Sequence, residues 1–188
     1  MASSSSNGVL FALFLFAVNL AAPHLAATIG SSSPAFLSGA CNTVAGDSGG
    51  VITAAFCTNS LSSDGRSLNA SSYSDLTIVA IDLLTSNATS TKSKIDTLLQ
   101  NATTATKQCL QSCQAAYAGV LQAQTGVFYN VQAGRFPEAM SALEKSAGSV
   151  EKCEDGFGKS NVKPLLTAED DDAFRLAKLA ALLLHQEH

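Results

Sequence analysis

Five cysteines, Cys41, Cys57, Cys109, Cys113 and Cys153, are the residues of this sequence best suited to covalent or metal chemistry. Structural zinc needs thiolates and imidazoles at finger-like spacing. No Cys-x2-Cys occurs, and the three histidines, His24, His185 and His188, sit toward the extremes of the chain, so no metal site is expected. In an oxidising compartment the same thiols form disulfides, and an odd count leaves one free or intermolecular. A second candidate is Gly46-Asp-Ser-Gly-Gly50, which matches the string around the nucleophile of chymotrypsin-like proteases. That chemistry requires a histidine base and a buried aspartate. No histidine lies in the body of the chain, so the string is expected to form a turn with Ser48 inert. Asp170-Asp171-Asp172 lacks the alternating ligands of an EF-hand and reads as a solvated charge run at a helix start. No glycine-rich phosphate loop is present. The sequence therefore points away from an enzyme and from any cofactor.

The compartment can be read from the leader and the sequons. Residues 9–18 form an apolar run too short to span a bilayer, followed by small residues at Ala21, Ala22, Ala26 and Ala27. This is the pattern of a secretory signal peptide, here assigned to residues 1–27, although no Lys or Arg precedes the run. The later run Leu179–Leu184 is short and is followed by His185-Gln-Glu-His188, so neither a membrane span nor a lipid-anchor signal is expected. Asn69, Asn87 and Asn101 head Asn-x-Ser/Thr sequons and are N-glycosylation candidates; Asn87 borders an apolar stripe and is the least secure of them. The chain carries 15 Asp+Glu against 11 Lys+Arg, which gives a nucleic-acid partner no support.

These residues must be positioned by helices. Leu76, Val79, Ala80, Leu83 and Leu84 repeat at helical spacing, and the stripe resumes with Ala88, Ile95, Leu98 and Leu99, with Ser86-Asn87 as a point of local weakening. A second helix is expected from about Ala105 to Tyr129, its inward face carrying Cys109, Leu110, Cys113, Ala116, Tyr117, Val120 and Leu121. Gly134 breaks the chain, and Pro137 suits the first turn of a third helix with Met140, Leu143, Ala147, Val150 and Cys153 inward. Gly156 and Gly158 are expected to end it. Thr167 is the candidate N-cap of a fourth helix with Ala173, Leu176, Ala177, Ala180, Leu183 and Leu184 on its stripe. The expectation is an all-α fold: an antiparallel four-helix bundle over residues 68–188, preceded by an N-terminal disulfide-closed helical hairpin over residues 28–67 that holds Cys41 and Cys57.

In order and context, an N-terminal cysteine pair, Cys113-Gln-Ala-Ala-Tyr117 in the second bundle helix and Cys153-Glu-Asp-Gly-Phe157 at the end of the third resemble the plant invertase and pectin methylesterase inhibitor family. The resemblance spans one inhibitor domain, residues 34–186. It implies disulfides Cys41–Cys57 and Cys113–Cys153, leaving Cys109 as a free thiol that is either a small buried hydrophobe or a competitor for Cys153. It implies a secreted protein, in the apoplast and cell wall or alternatively in the vacuole, that binds and blocks a carbohydrate-active enzyme. The context of Cys153 resembles the invertase-inhibitor subgroup, so an acid invertase is the expected partner and a pectin methylesterase the alternative.

Invertase inhibitors resemble one another in a Pro-Lys-Phe tripeptide that contacts the target's active site. The matching positions here are Gly134-Arg135-Phe136, which keep a cation and an aromatic but replace the proline. Retaining glycosidases work with paired carboxylates in a sugar-shaped cleft. An arginine offers such carboxylates bidentate, charge-assisted hydrogen bonds, and an aromatic can occupy sugar-stacking surface. Arg135 and Phe136 are therefore the partner-binding candidates. The competing reading has Arg135 merely solvated and Phe136 stapling the start of the third helix.

Overall fold

A computed structural model describes residues 34–187. Residues 1–27, expected to be a signal peptide, and His188 lie outside the described residues. The elements are α1 (Pro34–Asp47), α2 (Ala54–Ser62), a 3-10 turn (Gly65–Asn69), α3 (Tyr73–Leu99), α4 (Thr104–Gln132), α5 (Phe136–Lys159) and α6 (Thr167–His185). Each long helix packs on two neighbours, in the ring α3–α4–α5–α6, as short connections between amphipathic helices require.

The N-terminal hairpin is built around two inward cysteines. Leu37, Ala40, Cys41 and Val44 make the buried stripe of α1, and Cys57 and Leu61 that of α2. Between the helices Ser48 organises the turn. Its hydroxyl lies 3.0 Å from the carbonyls of both Ala45 and Ile52 and accepts the N–H groups of Gly50 and Ile52 at 3.3 and 3.1 Å. Gly49 and Gly50 take φ of 61° and 90°, the left-handed region in which a side chain is unfavourable. The protease-like string is thus a stapled turn, with its serine occupied by backbone. Thr53 caps α2 by accepting the Phe56 N–H at 3.1 Å. The disulfide Cys41–Cys57, with its Cα atoms 5.5 Å apart, closes the pair.

The bundle helices differ from the sequence expectation in three places. First, α3 runs unbroken through Ser86-Asn87. It starts on a capping box, in which Ser72 and Asp75 satisfy each other's backbone N–H, and buried Leu84 and Ala88 flank the weak spot. Packing of an amphipathic face outweighs the local propensity of two residues. Second, α5 continues past Gly156 and Gly158 to Lys159, because Cys153 and Phe157 bury the last turns. The stop falls at Asn161, at φ 50°, with the Asn161 and Val162 N–H groups donating to the carbonyls of Gly158 and Phe157. This is a Schellman ending with asparagine in the left-handed position. Third, Thr167 does not cap α6. The cap position is Leu166, and the Thr167 hydroxyl donates to Glu154 Oε1 at 2.7 Å.

Candidate functional site

The connection between α4 and α5 is set by the last turn of α4. The Gly134 N–H donates to the Val131 carbonyl at 3.1 Å and the Arg135 N–H to the Asn130 carbonyl at 2.8 Å. With Gly134 at φ 69°, this is a Schellman motif with glycine in the left-handed position. Proline, fixed near φ −65° and lacking an N–H, fits neither the angle nor the first of these bonds. The glycine that departs from the family tripeptide therefore has a structural role of its own.

The motif aims the next two side chains. Arg135 is exposed, yet its guanidinium is tethered. Nε donates to Asn130 Oδ1 at 2.9 Å, and the guanidinium carbon sits 4.7 Å from the centroid of the Tyr129 ring. Tyr129 is itself 61% exposed, the most accessible large apolar side chain among the described residues. A cation held over an aromatic face has a preferred orientation without being removed from water. Phe136 is half-buried and packs against the core, while Pro137 occupies the first turn of α5 as expected. The bundle end therefore presents Tyr129, Arg135 and Pro137 around a partly sunken Phe136. Tyr129 and Asn130 were missed in the sequence; their role follows from lying in the final turn of α4, where the chain folds back on itself.

The same two helices are joined by Cys113–Cys153, with Cα atoms 4.7 Å apart. Cys109 lies one turn earlier on α4. It is a free, buried thiol that donates a weak hydrogen bond to the Gly156 carbonyl at 3.6 Å, so it packs as a small apolar side chain. Among the described residues, no group of three or more His, Cys, Asp or Glu is arranged to hold a metal, and no helix is long and apolar enough to cross a membrane. Of the sequons, Asn69 and Asn101 stand on exposed turns. Asn87 is half-buried, with its Oδ1 accepting the Thr91 hydroxyl at 3.4 Å, and lines a hollow with Phe56, Leu83 and Leu176. The run Asp170-Asp171-Asp172 is not uniformly solvated. Asp171 and Asp172 are exposed and pair with Arg175, whereas Asp170 is buried. A helix turns about 100° per residue, so three consecutive acids cannot share one face.

A hairpin and a four-helix ring, each closed by one disulfide, are the arrangement that the cysteine pattern implied. The family described as plant invertase/pectin methylesterase inhibitor matches residues 35–183, from the first turn of α1 to the last turns of α6. The chain belongs to the plant invertase/pectin methylesterase inhibitor family. Proteins of this inhibitor family are not enzymes; they bind and inhibit an invertase or a pectin methylesterase. No curated protein matches the chain.

Proposed function

We propose that this family member is a secreted inhibitor of an acid invertase and that it engages the enzyme through Arg135 and Phe136 at the α4–α5 end of the bundle. The observation that carries the reading is the pre-positioned guanidinium of Arg135, held by Asn130 and Tyr129 beside a solvent-facing aromatic surface. A cation fixed before binding loses less side-chain freedom on binding, typically about 0.5–1.5 kcal/mol per ordered side chain. It can meet the paired carboxylates of a glycosidase cleft with two parallel N–H···O bonds. The two disulfides suit an oxidising compartment, in keeping with secretion to the cell wall or delivery to the vacuole.

The test is inhibition of a purified acid invertase, run in parallel with a pectin methylesterase from mildly acidic to neutral pH. Arg135→Ala is expected to weaken invertase inhibition by at least about tenfold, the loss of roughly 1.4 kcal/mol or more of a charge-assisted contact. Phe136→Ala is expected to weaken it further, with circular dichroism showing a retained helical fold. Unchanged inhibition by both folded variants removes this loop from the interface. Inhibition of the methylesterase alone moves the target to the other enzyme of the family.

A further inference from the structure

Two of the buried oxygens that meet no donor among the described residues belong to carboxyl groups where α5 meets α6. Asp170 on α6 is 3% exposed. Its Oδ1 accepts the hydroxyl of fully buried Tyr117 on α4 at 2.6 Å, while its Oδ2 is buried and meets no donor. Glu154 on α5 repeats the pattern. Its Oε1 accepts the Thr167 hydroxyl at 2.7 Å, and its Oε2 is buried and meets no donor. The two carboxyl groups line the same pocket between α5 and α6.

Two buried acceptor oxygens on carboxyl groups of one pocket, both lacking a hydrogen, can be satisfied together by one hydrogen. Buried polar atoms without partners are rare because each costs about 1–3 kcal/mol. Two carboxylates sharing one pocket would also repel. We infer that Asp170 and Glu154 share a single proton and act as a pH-sensitive clasp between α6 and α5, closed in acid and weakened as the pH rises.

The surroundings favour the proton over a compensating cation. Burial holds the Tyr117 phenol from α4 neutral, and Thr91, buried on α3, brings no charge. Glu151 on α5 and Asp171 on α6 line the same pocket as the pair, and Glu169 adds a third negative neighbour. The cation that α3 offers, Lys94, is bonded to Glu169 at 2.6 Å, Arg175 pairs with Asp171 and Asp172, and Lys152, which borders Glu154 on a neighbouring hollow, is exposed to solvent. Burial first, and then the charge of Glu154, push the Asp170 carboxyl up to about 7, with the Tyr117 hydrogen bond working in the opposite direction. The pocket, of about 520 Å³ between α5 and α6, gives the pair a route for proton exchange with solvent.

The sign follows from proton counts. An unfolded aspartate titrates near 3.9. Between about pH 4 and about pH 7 the folded chain holds a proton that the unfolded chain has released, so folding takes one up. The clasp's contribution is complete below about pH 4, declines through that window and is gone above about pH 7. One linked proton multiplies the unfolding constant by about tenfold per pH unit. The inference concerns the stability of the chain itself and stands whichever enzyme it binds.

Urea unfolding from pH 4.5 to 7.5, with both disulfides intact, tests it against Asp170→Asn. The amide can accept from Tyr117 and donate to Glu154 with no titrating proton. The unfolding constant of the unmodified protein is expected to rise about tenfold per pH unit relative to the variant up to about pH 7, and then to run parallel to it. Equal pH slopes in the two proteins overturn the proposal. Should Asp170→Asn not fold, carboxyl-carbon NMR of the unmodified protein decides. One coupled Asp/Glu pair titrating near neutrality sustains the clasp, and ordinary titration of every carboxyl ends it.

Discussion

Gly134→Pro restores the first residue of the tripeptide that invertase inhibitors resemble one another in carrying, and the structure says it should do harm. The position sits at φ 69°, and its N–H donates to the Val131 carbonyl at 3.1 Å. Proline cannot reach that angle and has no N–H. The substitution also turns Arg135 away from its bond to the Asn130 carbonyl. An unfavourable left-handed conformation costs about 1–2 kcal/mol and each lost hydrogen bond about 1 kcal/mol, so the sum is about 3 kcal/mol. For a domain of this size class that corresponds to a fall in melting temperature of about 6–12 °C. Gly134→Ala is the control. A Cβ there meets nothing within 4 Å, so only the conformational cost of about 1 kcal/mol applies. Thermal melts of both variants, paired with invertase inhibition curves, read stability and the aim of Arg135 together. A proline variant that melts with the unmodified protein and inhibits as well would refute the assignment of Gly134 as the helix stop.

Two further predictions concern the covalent frame. In the chain-entropy description, losing Cys113–Cys153, with a sequence separation of 40, costs about 4 kcal/mol, and losing Cys41–Cys57, with a separation of 16, about 3 kcal/mol. Urea midpoints of the two double-alanine variants should rank in that order, and the reverse ranking would mean that strain or packing outweighs loop length. N-glycans are expected at Asn69 and Asn101 but not at half-buried Asn87, as read by site mapping after enzymatic deglycosylation. A glycan found at Asn87 on the folded protein contradicts the burial argument.

Much of this fold was legible because helices announce themselves by periodicity. The stripes of α3, α4, α5 and α6 were readable to within a few residues, and Gly134 and Pro137 marked a real boundary. Propensity misled where packing opposed it. Ser86-Asn87 stayed helical between buried neighbours, and Gly156 and Gly158 lie inside α5 because Phe157 is anchored in the core. The candidate loop could be located from the sequence, but its geometry could not. Nothing in Tyr129-Asn130 signals that they hold Arg135 until the Schellman turn brings residues five and six positions apart together. The buried carboxyl was hidden by its neighbours. In a run of three aspartates, only the helical register shows that Asp170 faces inward alongside Ala173 and Leu176.

The end of the bundle where α3 begins and α6 finishes carries a different consequence. Gln186 Nε2 donates to Asp47 Oδ2 at 2.9 Å, and the Ser74 N–H donates to Glu187 Oε1, bonds that span 139 and 113 residues. Closing such long loops is among the slow steps of folding, because chain entropy is lost before contacts repay it. During synthesis α1 and α2 emerge before the bundle helices; they can meet α3 early, through Phe36 and Tyr73 for example, but the bond from Gln186 to the end of α1 forms only after α6. The end of α1 is thus made early and fixed late. The hairpin's own crosslink and stapled turn let it wait as a finished module while the bundle assembles.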